Sequence, residues 1–239
     1  MPDPWLGKML GCDAWHARFH LDEKLNLEVF LEEIEGKSFV DIKLDTDKVL
    51  ALNVLQEVGF RLVDTNLTFH QRLSEDISLE ESKGTIEISE AGDLDEEEVV
   101  SCAEKNFVFS RFHLDPRIDN ALANQVKGEW ARNFFKGERG EKMLVARKEG
   151  EVVGFCQLLQ PEMGKTVIDL IGVSSSCRRR GVGRALVEAS KRETGVGNTL
   201  IVGTQVANQP SVRLYESLGM KLEASQYVLH YHRAAPCVV

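Results

Sequence analysis

The 239-residue sequence predicts an α/β protein built on a mixed sheet, and three observations carry that reading. Segments that alternate apolar and polar residues recur between segments with apolar residues at helical spacing, so strands and helices interleave along the chain. Two of the strands, Lys142–Arg147 and Val152–Gln160, are joined by the turn Glu149-Gly150, the sign of an antiparallel hairpin. A third apolar strand, TVIDLIGV (Thr166–Val173), runs into SSSCRRRGVGR and then into GRALVEASKRE, which has apolar residues at helical spacing: strand, turn, helix.

In chain order, acidic and glycine-bearing stretches in Ser74–Glu98 surround a short alternating strand, Thr85–Ser89, and mark the expected boundary. The division is an N-terminal α/β unit over residues 1–74, a linker over 75–84 and a larger unit over 85–239. In the larger unit, helices around Leu94–Asn106 and Asp119–Lys136 precede the hairpin. After the arginine-glycine turn and its helix come the strand TLIVGTQV, a helix Pro210–Leu218 stopped by Gly219, and a closing strand LEASQYVLHYH. His230 and His232 alternate on that last strand and read as edge-strand residues without chemistry. A faint repeat pairs Ala17–Asp22 with Ser110–Asp115, and Val54–Phe60 with Leu214–Met220, with Gly59 and Gly219 each ending a helix before a strand. Either a degenerate duplication or chance accounts for it, and a duplicated N-terminal copy would lack the arginine-glycine turn.

The formal net charge of −9 and pI near 5.3 argue against a chain that coats nucleic acid or an anionic membrane, which needs a basic surface. A polyanionic ligand must then meet a local basic patch. The five scattered cysteines have no CxxC spacing and no histidine in ligand register, so they read as free thiols in a reducing cytoplasm, with no metal site. The sequence shows neither an export signal nor an apolar run long enough to span a bilayer.

The arginine-glycine turn answers the need for local charge. Gly181 and Gly183 let the backbone turn tightly and approach a ligand, while the following helix aims its free N–H groups and positive dipole end at it. Arg178, Arg179, Arg180 and Arg184 add charge-assisted donors, which makes a pyrophosphate site. A P-loop would need Lys then Ser or Thr after its second glycine, where Arg184-Ala185 stands, and a dinucleotide fingerprint would need a third glycine. The bland alternative is a solvated arginine run with glycines that merely turn the chain.

Val173, followed by Arg178-x-x-Gly181-x-Gly183, resembles the acetyl-CoA signature of the GNAT superfamily of N-acetyltransferases, and Thr204–Asn208 with Arg213–Gly219 resembles the family's second signature. The likeness covers roughly residues 85–233 and implies a GNAT fold preceded by a truncated GNAT-like unit. It implies that Ile171, Gly172 and Val173 hold the pantetheine arm of acetyl-CoA, that the amides of Arg179, Arg180, Gly181, Val182, Gly183 and Arg184 cradle its pyrophosphate, and that Asn208 fixes it near the thioester. Tyr215 becomes the candidate acid for the departing sulfur, since a phenol with a pKa near ~10 stays protonated at neutral pH. Asp169, which strand alternation puts on the same face as Ile171 and Val173, is the candidate base, the alternative being a structural partner for an arginine; His113 and Asp115 are the other candidates, against a structural histidine and an Asp-Pro turn. Arg111, His113 and Arg117, in the SRFHLDPR segment that borders the acceptor site in the family, are candidates for substrate binding, with Lys127 a further cation nearby.

The acceptor is less constrained. Within the superfamily the chain resembles the enzymes that acetylate dTDP-4-amino-4,6-dideoxygalactose (dTDP-fucosamine), through Leu55–Val63, Ser110–Phe112 and the Thr204-Gln205 stretch before Asn208, though its arginine-glycine signature is fuller than theirs. That resemblance implies a nucleotide-linked amino sugar as acceptor. A peptide, lysine or small-amine acceptor, or an acetyl-CoA-binding regulatory module without catalysis, are the alternatives. TVIDLIGV suits either a buried strand in a monomer or a strand shared across a homodimer.

Overall fold

A computed structural model describes residues 1–18, 30, 32, 34–75 and 86–233. The chain opens with α1 (Pro4–Leu10) and β1 (Ala14–Arg18), followed by β2 (Phe39–Asp45), α2 (Val49–Glu57) and β3 (Arg61–Arg72). β4 (Glu87–Glu90), α3 (Glu96–Asn106) and α4 (Asn120–Phe135) lead into the hairpin β5 (Lys142–Lys148) and β6 (Glu151–Glu162). Then come β7 (Lys165–Val173), α5 (Val182–Thr194), β8 (Thr199–Gln205), α6 (Gln209–Ser217) and β9 (Lys221–His232). The mixed α/β architecture is the expected one, and the helices and strands foreseen over 85–233 form within a few residues of their expected bounds. Thr85 and most of the expected linker lie outside the described residues.

Alternation on the central strands builds two cores. Along β5, Leu144 and Ala146 face one side and pack with Leu186, Val187 and Ala189 of α5, whereas Met143 and Val145 face the other and pack with Val99 and Ala103 of α3. Each leucine, valine or methionine among them, fully withdrawn from water, contributes about 1.5–3 kcal/mol. Helices on both faces leave the sheet buried where the site will form.

The N-terminal strands join the same sheet. Its order among the described residues is β1-β2-β9-β3-β8-β7-β6-β5-β4. The connection from β2 through α2 to β3 steps over β9, and that from β8 through α6 to β9 steps over β3, so each half lends a strand to the other. β1 is parallel to β2 as β7 is to β8, and the four strands between are antiparallel, so the two sides repeat about the β3/β9 seam.

The second of the two sequence repeats falls at corresponding places in this pattern. Gly59 (φ +103°) ends α2 and Gly219 (φ +80°) ends α6; Phe60 N–H donates to Leu55 O at 3.0 Å, and Met220 N–H donates to Tyr215 O at 3.1 Å. Leu55 therefore occupies the place that Tyr215 holds in the other half. The first repeat does not correspond: Ala17 and Arg18 lie in β1, Ser110–Asp115 lie between α3 and α4, and Phe19–Asp22 are outside the described residues.

One further expectation changes. β9 is an interior strand, so His230 and His232 are buried rather than at an edge, because β2 and β3 from the N-terminal half pair with its two sides. TVIDLIGV is likewise interior, between β6 and β8. No helix among the described residues is long and apolar enough to cross a membrane.

Candidate active site

β7 and β8 pair only from Lys165 to Ile168, against Thr199 to Val202; beyond that they part. The gap opens a cavity of about 900 Å³ whose walls are β7 from Ile168 onward, the end of β8, the arginine-glycine turn, α6 and the Asn106–Ser110 segment. The opening begins at a β-bulge. Gln157 of β6 faces Leu170 and Leu158 faces Ile168, which leaves Asp169 as the extra residue.

The bulge changes the geometry of Asp169. Ile171 and Val173 pack toward the α5 core, but Asp169 turns to the opposite face, because alternation slips by one at the extra residue. There its Oδ2 accepts from Arg139 Nε at 2.6 Å and from Trp130 Nε1 at 2.8 Å, and its Oδ1 accepts from Arg139 Nη2 at 2.7 Å. The expectation that Asp169 shares the face of Ile171 is thus corrected, although it does line the cavity. Its carboxylate is held bidentately by a guanidinium, and it takes the alternative role of arginine partner, with Arg139 instead of the arginines of the turn.

At the arginine-glycine turn, the amides of Val182, Gly183 and Arg184 open α5 with no acceptor among the described residues, and Gly181 precedes them at φ +86°. Arg179, also at positive φ (+61°), Gly181, Gly183 and Arg184 border the cavity. The arginines do not act alike. Arg178 borders the cavity but folds back, its Nη2 donating to Asn106 O at 2.7 Å, which ties α3 to the end of β7. Arg184 Nη2 donates to Ser217 Oγ at 3.0 Å on α6. Arg180 is exposed and Val182 is buried in the core, so neither side chain lines the cavity. Gly181→Val, which forces a β-branched residue into the left-handed region, is expected to weaken acetyl-CoA binding roughly tenfold by calorimetry, while Gly181→Asn, which tolerates that conformation, does so less.

Asn208 caps α6, its carbonyl accepting from Ser211 and Val212 N–H and its Nδ2 donating to Thr204 Oγ1 at 3.2 Å, so it stands where β8 leaves the sheet. Tyr215 lines the cavity two turns further on, buried, with its ring 5.7 Å from that of Phe69 on β3. Burial, with Cys156 close by, pushes its phenol well above the ordinary tyrosine value. Phe69 had no role in the sequence reading. It is the N-terminal half's contribution to this wall.

The three expected substrate-binding residues do not line the cavity. Arg111 pairs with Asp41 of β2 at 2.5 Å; Arg117 Nη1 donates to His232 O; His113 is held between Ser110 Oγ at 2.6 Å and Asn124 Oδ1 at 2.9 Å, its pKa lowered by burial. Below them Asp115 Oδ2 lies 2.6 Å from His230 Nδ1 and 2.8 Å from His232 Nε2, all three buried. These residues fasten the loop to β2 and β9, which is a structural use of charge. Their ligand atoms cluster closely enough to hold a metal ion, but here the carboxylate bridges the two imidazoles. Lys127 of α4, by contrast, is buried and does line the cavity. Cys102, Cys156 and Cys177 are free thiols, as expected of them, and Cys237 lies outside the described residues.

Splayed parallel strands with a glycine turn and unbonded helix amides at their mouth make a cleft suited to an extended ligand with an anionic end. Residues 109–220 match the family model "Acetyltransferase (GNAT) family". Among known proteins, the chain is similar to the "Spore coat polysaccharide biosynthesis protein SpsD" of Bacillus subtilis (strain 168), at 32% identity over 138 residues, which are 57% of this chain and 47% of that one. The matched segment thus spans about half the length of this curated relative. The fold is similar to a GCN5-related N-acetyltransferase from Sphaerobacter thermophilus, with TM-score 0.57, 19% identity, and coverage of 81% of this chain and 59% of the other. It is also similar to a tandem GNAT protein from the clavulanic acid biosynthesis pathway, with TM-score 0.60, 10% identity, and coverage of 92% and 75%.

Proposed function

We propose that this chain transfers the acetyl group of acetyl-CoA directly to a primary amine, and that the amine belongs to a nucleotide-linked 4-amino-4,6-dideoxy sugar. The observation that carries the reading is the single cavity that brings the unpaired stretch of β7, the free amides of α5, Asn208 and Tyr215 together. The amides of Val182, Gly183 and Arg184, with Arg179, receive the pyrophosphate; the pantetheine arm lies along Ile171, Gly172 and Val173 as an added strand. An amide on that unpaired edge donates to the thioester oxygen as it gains charge, Asn208 steadies the acyl end, and Tyr215 gives its proton to the leaving sulfur. The phenol is less acidic than a thiol, so proton transfer accompanies C–S cleavage, and Tyr215 regains a proton from the product nitrogen.

The sugar acceptor rests on two supports: the name of the relative from spore coat polysaccharide biosynthesis, and the charge of the cavity wall. Arg213 lines it, and its carboxylate, Asp169, is neutralised by Arg139. Such a wall repels polyamines and lysine-rich peptides and attracts an anionic acceptor. Both substrates are polyanions that do not cross membranes, so the reaction belongs in the cytoplasm. CoA release, followed by chromatography against dTDP- and UDP-linked amino sugars, peptides and polyamines, is expected to be confined to nucleotide-linked amino sugars. Turnover only with peptides or polyamines overturns the acceptor, and acetyl-CoA binding without turnover on any amine overturns the catalytic reading.

A further inference from the structure

Lys127 sits two turns into α4 among Ala123, Val126 and Ala131, positions that face the core, yet it carries an ammonium group into the cavity. Its Nζ lies 4.5 Å from the centroid of the Trp130 ring and 5.1 Å from that of Phe107. Neither ring is a proton acceptor of ordinary strength, and among the described residues no carboxylate or carbonyl oxygen is within hydrogen-bond reach of Nζ. The charged and titratable groups that face it are Arg111 and His113 from the loop before α4, Arg139 from the segment after it, and Asp169 from β7. Arg111 is paired with Asp41 and Asp169 with Arg139, so neither acid is free to neutralise a third cation. A lysine in this setting exposes a lone pair to the cavity more readily than a charge.

We propose that Lys127 is the base of the transfer, taking the proton that the acceptor's ammonium must lose before its nitrogen can attack the thioester. The inference rests on the reading of the chain as an amine acetyltransferase and supplies the group that Asp169, held bidentately by Arg139, does not. An N–H bond of the ammonium breaks as one forms on Lys127 Nζ. The freed amine then forms the C–N bond while C–S breaks, the sulfur takes the proton of Tyr215, and the acylated nitrogen returns a proton to Tyr215. Lys127 sheds its proton to water, so one proton is released for each acetyl group moved. Burial, aided by Arg111 and Arg139 and opposed by Asp169, brings the Lys127 pKa down to about 7, which matches a base that works near neutrality.

The test separates a base from a fixed cation. Lys127→Met removes both, and Lys127→Arg keeps the charge without a usable lone pair. kcat/KM is measured from roughly pH 5.5 to 9.5 on whichever amine of the panel turns over, with acetyl-CoA affinity measured in parallel. Both variants are expected to be roughly 100-fold slower at neutral pH and to lose the acid limb that the wild type shows near pH 7, with acetyl-CoA affinity unchanged. In 13C-lysine-labelled wild type, the Cε resonance missing from Lys127→Arg is expected to titrate in the same range, a reading that needs neither turnover nor a folded Met variant. A Lys127→Arg rate within about threefold of wild type, an acid limb that persists in Lys127→Met, or a Cε titration at the ordinary lysine value near ~10.4 overturns the proposal. A panel in which only peptides react overturns the sugar acceptor and leaves the judgement of Lys127 to the same limb.

Discussion

Tyr215→Phe is expected to release CoA roughly 1000-fold more slowly than the wild-type chain while binding acetyl-CoA with the same affinity. The substitution deletes one oxygen. The ring keeps its place against Phe69, and the helix keeps its length, so the fold has no reason to change. What is lost is the O–H that lies buried in the cavity wall, protonated well beyond neutral pH because burial opposes its ionisation. A loss of that size corresponds to about 4 kcal/mol of transition-state stabilisation, within the reach of one positioned proton donor. Single-turnover measurement of CoA release at saturating acetyl-CoA checks it. A Phe variant that keeps a third or more of the wild-type rate removes Tyr215 as the acid.

Asp115→Asn carries the largest expected cost to stability, about 3–5 kcal/mol, because it takes the charge from a buried acceptor of two hydrogen bonds, from His230 and His232, each worth about 1.5–3 kcal/mol while the acceptor is ionised. In a chain of this size that is a fall in Tm of roughly 6–20 °C. The pH dependence has a defined sign. Burial alone would raise the Asp115 pKa, but the hydrogen bonds from His230 and His232 outweigh it and hold the carboxyl far below its usual range. The stability it contributes is present above the unfolded value near ~3.9 and is lost as the pH falls below it. His230 is shifted the other way by burial, which lowers its pKa, so it stays neutral when folded. The unfolded chain gains a proton below ~6.5 that the folded chain refuses, and stability starts to fall there. Urea melts between about pH 8 and pH 2 should therefore show two descending limbs in the wild type and a much smaller lower limb in Asp115→Asn. A variant as stable as wild type at pH 7 overturns the structural role given to the triad.

The strand-turn-helix from Thr166 to Thr194 was legible because each piece is local: an apolar run, glycines that permit the turn, and a helix whose apolar spacing begins at once. Tyr215 and Asn208 were legible for the same reason, and they meet the turn in one cavity. What misled was non-local or subtler than alternation. The bulge at Asp169 adds one residue to β7 without any mark in TVIDLIGV, and a shift of one reverses a side chain's face. His230 and His232 looked like edge residues because nothing in LEASQYVLHYH announces that two strands from residues 39–72 will flank it. Arg111 and Arg117 were read by charge and loop position, whereas their partners, Asp41 and the His232 carbonyl, are distant in sequence. Lys127 stood in view as a spare cation. Only the helix face it shares with Val126 and Ala131, and the rings around it, reveal how little water it has.

The exchange of strands across the β3/β9 seam also governs how the molecule can be made. β3 leaves the ribosome long before β8 and β9 exist, so until they arrive it has neither of its partners, and β2 lacks one of its own. The nascent N-terminal half is therefore a set of open strand edges, the kind of surface that pairs with the wrong chain. Completion waits for β9 to slot between β2 and β3, a closure over a long stretch of sequence that makes folding slow and sensitive to chaperones. A fragment starting at β4 would leave the β8 edge and both sides of β9 bare and take Phe69 away from Tyr215, so the wall behind Tyr215 depends on strands that carry none of the proposed chemistry.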